Sequence, residues 1–129
     1  MNKETVEKLN EIQTRLKAAG KSAAAAKAHH QTCRETFKNI VSELSRESKQ
    51  YWALVHPDVK ALDFSSMQKI ADIIQDTRLA YTVAETKCEE AAKAEESAVK
   101  KIRSIRAEYD TMVDAMVPGV LKLGEPRGG

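Results

Sequence analysis

The stretch "AKAHHQTCRET", Ala26 to Thr36, places two histidines, His29 and His30, within four residues of Cys33. Imidazole and thiol at such spacing are the groups of zinc ligation, thiol redox chemistry and nucleophilic catalysis. The chain's other cysteine, Cys88, decides which chemistry is open. Two cysteines are too few for a disulfide framework. No phosphate-binding glycine loop, H-E-x-x-H pair or nucleophile elbow occurs. Paired carboxylates such as Glu89-Glu90 and Glu95-Glu96 lie in sequence that reads as unbroken helix, which offers no pocket to raise a carboxyl pKa for acid–base work. An enzyme is therefore not expected, and no cofactor or metal is called for.

The elements that carry these residues are legible from composition and period. Of 129 residues, 31% are charged, 5% are aromatic and the net charge is +2. The chain has three prolines, and Gly20 is the one glycine before Gly119. A multi-stranded sheet needs turns far more often than that. Leu9, Ile12, Leu16, Ala19, Ala23, Ala26, His30, Cys33, Phe37, Ile40, Leu44, Glu47, Tyr51 and Leu54 form a heptad seam with Leu9 at an a position and Ile12 at d. A second seam runs from Met67 and Ile70 through Thr77, Tyr81, Ala84, Cys88, Ala91 and Ile105 to Met116. Between them, Pro57 breaks the first helix, and Ser65 followed by Gln68 reads as a capping box for the second.

The expected fold is all-α: a long antiparallel two-helix coiled-coil hairpin that associates into a four-helix bundle. Residues 1–117 form the hairpin, with helices near 3–55 and 65–117 and a connection at 56–64, and 118–129 form a flexible C-terminal tail. A fold centred near residues 60–61 sets Leu9 against Met112, Leu16 against Ile105, Phe37 against Ala84, and Glu47 against Ile74 within reach of Arg78. On the flanks, Arg15 meets Glu108 and Arg34 meets Glu85. The same register pairs Cys33 with Cys88 in the seam. The expectation is two reduced core thiols, since free cysteine commonly behaves as a small buried hydrophobe. The competing readings are a disulfide, a zinc site completed by His30, and a catalytic thiol. His29, at a g position, points off the seam.

Two surfaces remain. Val6, Val41, Val55, Val99 and Val113 occupy e positions, and Trp52 and Phe64 gather near the turn. A lone hairpin leaves much of this wet, so Val6, Val41, Trp52, Val55, Phe64, Val99 and Val113 are the expected self-association residues. The reading is a non-enzymatic structural or adaptor protein acting as a homo-oligomer, with a dimer favoured, or on another helical protein. The alternative is a polyanion or nucleic-acid binding module. It uses a belt of Arg15, Lys17, Lys21, Lys100, Lys101, Arg103 and Arg106. No apolar run reaches the length of a membrane span, and the N-terminus lacks a signal peptide's apolar stretch, so a cytoplasmic location is expected.

A helical hairpin with tryptophan near its turn, here in "YWAL" from Tyr51 to Leu54, resembles the Trp-x-Gly family of small secreted helical-hairpin dimers. Leu54 stands where that motif has glycine. The family's Tyr-x-x-x-Asp/Glu signal, which follows the second helix, is matched only by Tyr81 to Glu85 in mid-helix. The resemblance implies a dimeric hairpin.

Overall fold

In a computed structural model, residues 3–55 and 62–116 are described. Two long α-helices, α1 (Lys3–Leu54) and α2 (Phe64–Met116), pack against each other as an all-α helical hairpin. The period explains the packing. Every seam position from Leu9 to Leu54, and from Met67 to Met116, is buried or half-buried, whereas most other positions are exposed. Two helices can cover only one stripe of each other, and no large side chain among the described residues is fully buried.

The helix ends follow local chemistry. At the end of α1 the Val55 amide donates to the Trp52 carbonyl at 3.2 Å, a tightened last turn. α2 starts one residue earlier than expected, and its cap lies two residues earlier. Asp63, not Ser65, is the cap: Ser66 donates to its carboxylate from the backbone amide (3.1 Å) and the hydroxyl (2.6 Å). These hydrogen bonds, the hydroxyl's first, hold the Asp63 carboxyl below its usual pKa. An aspartate carboxylate can accept from both groups at once, which a serine hydroxyl cannot match. Gln68 turns instead to Asp72, donating at 2.8 Å. The expected break at Pro57 and the tail at 118–129 lie outside the described residues.

The chain divides into two compact units, one of residues 1–28 with 92–129 and one of residues 29–91. In the first unit Ile12, Ala19 and Ile105 are buried together, flanked by Leu16, Ile102, Tyr109 and Met112. This matches the expected register, and Arg15 makes its ion pair with Glu108 at 3.0 Å. In the second unit the Phe37 ring packs on Tyr81 with centroids 4.8 Å apart and planes tilted by 45°. That contact is one layer from the expected Phe37–Ala84 pairing. Tyr81 covers Phe37 because Ala84 is too small to do so. Arg34 and Glu85, expected to pair, make no ion pair.

Candidate functional site: the apolar surface of residues 29–91

The residues 29–91 unit buries two polar side chains in its seam and leaves several large apolar ones exposed. Its buried side chains are Glu47, Thr77, Ala84 and Ala91. Its exposed ones include Trp52 at 68%, Phe64 at 70%, Leu79 at 63%, Val83, Ile73 and Val41. The cause lies in heptad position. Glu47 and Thr77 hold d positions in the seam, so the helices bury them. Trp52, Leu79 and Val83 hold b, f and c positions, which a single partner helix cannot reach.

Glu47 does not lift its carboxylate into water. It is only 4% exposed, and its Oε1 accepts a hydrogen bond from the Thr77 hydroxyl at 2.8 Å. Its Oε2 is buried with no hydrogen-bond partner among the described residues. The expected contact with Arg78 does not form. Arg78 sits at an e position and lines an outer groove, while Thr77 stands inside the seam beside the carboxylate. A buried carboxylate with one oxygen unsatisfied weakens its surroundings.

Two grooves flank this unit. One, of about 670 Å³, is lined by Tyr51, Trp52, Ala71, Ile74, Arg78 and Leu79 among others. The other, of about 410 Å³, includes Cys33, Thr36, Ile40, Val83, Ala84 and Lys87. Both are open furrows beside the seam. Trp52 also packs edge-on against Tyr51, with centroids 5.9 Å apart and planes at 85°. That contact holds the indole on the groove's rim.

The expected self-association residues divide. Val41, Trp52 and Phe64 are exposed in the 29–91 unit, and Val55 is half-buried there. Val6 and Val99 are exposed in the other unit at 40% and 37%, whereas Val113 is half-buried. Ile73, Leu79 and Val83 are exposed to a similar or greater degree than the valines and were not singled out by the heptad reading of e positions. The signal for them was present: apolar residues at g, f and c have no use in a two-helix seam.

Cys33 and Cys88 carry free thiols and are half-buried. Cys33 Sγ and His29 Nε2 stand at hydrogen-bonding distance, 3.7 Å apart. One helical turn separates g at 29 from d at 33, so the two side chains overlie each other. Among the described residues, no three His, Cys, Asp or Glu side chains converge as metal ligands.

The basic belt lies in the unit of residues 1–28 and 92–129. Arg15 is engaged by Glu108, and Lys100 by Glu96 at 3.3 Å. Lys17, Lys21, Lys101, Arg103 and Arg106 are exposed. No helix among the described residues is long and apolar enough to cross a membrane. No known protein family, curated protein or solved structure matches the chain.

Proposed function

We propose that this chain is a non-enzymatic structural or adaptor protein of the cytoplasm that acts by self-association, or on a helical partner, through its residues 29–91. One observation carries the reading: large apolar side chains stand exposed around a seam that buries a glutamate and a threonine. Apolar area gains roughly 25 cal/mol per Å² on leaving water. Trp52, Phe64, Leu79 and Val83 therefore favour a covered state. Aromatic anchors beside a furrow are the usual energetic centres of interfaces. The simplest cover is a second hairpin, completing a four-helix bundle. Analytical ultracentrifugation tests this: a concentration-dependent dimer is expected, and a pure monomer at high micromolar concentration would leave only a different helical protein as partner.

The exposed cations Lys17, Lys21, Lys101, Arg103 and Arg106, gathered in one compact unit, support a lesser reading as a polyanion site. Binding of a nucleic-acid oligomer that is absent even at about 50 mM salt would remove it.

A further inference from the structure

The side of the 29–91 unit that carries Trp52 is built on a regular step. On α1, Val41, Ser45, Ser48 and Trp52 alternate e and b positions, with steps of four, three and four residues. On α2, Ala71, Gln75, Arg78 and Thr82 do the same. All but Val41 and Ser45 line the groove of about 670 Å³, so the two ladders share one face of the hairpin. The Glu47–Thr77 hydrogen bond sets those two residues level. Each ladder has its midpoint at that level, between Ser45 and Ser48 on α1 and between Gln75 and Arg78 on α2. Val41 and Trp52 are exposed at 41% and 68%, and about 16 Å of helix keeps them from covering each other. Asp72 and Arg78 are also exposed, and neither makes an ion pair among the described residues.

A ladder with steps of four, three and four reads the same in both directions, so a reversed copy meets it rung for rung. We propose that this face binds a second copy of the chain, turned end for end about a two-fold axis at the Glu47–Thr77 level, with α1 on α1 and α2 on α2. The proposal rests on the self-association reading and names its contact. Trp52 packs on the second copy's Val41, and Val41 on the second copy's Trp52, so the two exposed apolar side chains of this face cover each other twice. Ser48 meets the second copy's Ser45, and these small side chains let the α1 helices approach. On α2, Ala71 meets the second copy's Thr82, and Arg78 meets its Gln75. The second copy's Asp72 lies about one turn beyond that Gln75, within reach of the long Arg78 side chain, and the two-fold axis repeats the ion pair. Within one chain Asp72 and Arg78 are six residues apart and do not face each other. A copy laid in the same direction would set Trp52 on Ala71, leaving it apart from Val41. It would also set Arg78 on Ser45, one turn from Lys49 rather than beside a carboxylate. Apolar and charge complementarity therefore both select the reversed copy.

The test uses the full chain, in sedimentation equilibrium and in disulfide trapping. Val41→Ser should weaken the dimer by about tenfold or more. Ile73→Ser, on the other side of α2, should leave it within about threefold. Arg78→Asp should weaken it by about fivefold, and Asp72→Arg/Arg78→Asp should restore it, with helicity by circular dichroism unchanged. Trapping uses a Cys33→Ser/Cys88→Ser background and a glutathione redox buffer. Mixed Ser45→Cys and Ser48→Cys chains should join in a mixed disulfide, which requires β-carbons about 3.8 Å apart. Lys38→Cys chains should stay unlinked, because reversal sets the two Lys38 positions about 25 Å apart along the helices. No disulfide between the Ser45→Cys and Ser48→Cys chains, linkage of Ser45→Cys to Arg78→Cys chains instead, or a charge swap that fails to restore the dimer overturns this contact. A parent chain that still dimerises then keeps the self-association reading. A parent chain that stays monomeric at high micromolar concentration removes both.

Discussion

The two units are built from the same heptad pattern and use it differently. In residues 1–28 with 92–129, the seam buries Ile12, Ala19 and Ile105, and the exposed large apolar side chains among the described residues are Val6 and Val99, at 40% and 37%. In residues 29–91, the seam buries Glu47 and Thr77, while Trp52, Phe64 and Leu79 stand in water. The first unit spends its apolar residues on itself. The second leaves several of its largest outside the seam, and such a distribution suits a surface made for another molecule.

The largest effect should come from breaking the satisfied unit. Ile105→Ala removes a side chain only 3% exposed, and should cost about 2–5 kcal/mol in denaturant unfolding. The equivalent truncation Leu79→Ala in the other unit should change the unfolding of the isolated chain by about 0.5 kcal/mol or less, because nothing in the hairpin covers it. Comparable losses at the two sites would erase the distinction between the units.

The buried polar pair sharpens the comparison next. Thr77→Val removes the one hydrogen bond that the Glu47 carboxylate accepts among the described residues, and should destabilise the chain by about 1–3 kcal/mol. Glu47→Leu with Thr77→Val removes both polar groups from the seam, and should be neutral or stabilising. A double variant as weak as the single one would show that the carboxylate has a compensating partner.

A smaller gain is expected at Gly20, the exposed e position of the first unit. A methyl group there meets nothing within 4 Å. Gly20→Ala should therefore raise helix stability by about 0.8–1 kcal/mol, read as an increase in thermal midpoint. The smallest effect is at the cap of α2. The Asp63 carboxyl is held below its ordinary value by Ser66, so folding favours its ionised form. Its contribution is present above the unfolded-state value and is lost as pH falls through the lower folded-state value. Asp63→Ala should flatten that acid limb of the stability profile, and an unchanged limb would remove Asp63 as its source.

Most of the fold could be read from the sequence because it depends on one repeating property. The a and d positions from Leu9 to Met116 fix the helices and register, and Arg15–Glu108 follows from geometry alone. What the period did not contain was side-chain choice among near neighbours. Glu47 had Arg78 and Thr77 within a turn of each other, and the backbone placed the hydroxyl inside and the guanidinium outside. Cys33 had His29 and His30 at i−4 and i−3; the seam favoured His30, but the side chains overlie at i−4. The Ser65–Gln68 spacing imitates a capping box and masks Asp63, whose carboxylate makes the cap. The candidate surface was half legible: Trp52 and Phe64 stand out by their place near the turn, whereas Leu79 and Val83 lie at positions a heptad pattern leaves to solvent.

Sedimentation equilibrium on three chains tests the central claim most directly: the parent, Trp52→Ser/Leu79→Ser, and Val6→Ser/Val99→Ser. The parent is expected to dimerise. The pair in residues 29–91 should weaken the dimer by about 30-fold or more, the loss expected for interface anchors. The Val6/Val99 pair should leave it within about threefold, as exposed residues outside an interface do. A parent that stays monomeric, or a Val6/Val99 variant weakened as much as the Trp52/Leu79 variant, would contradict the assignment of the binding surface to residues 29–91.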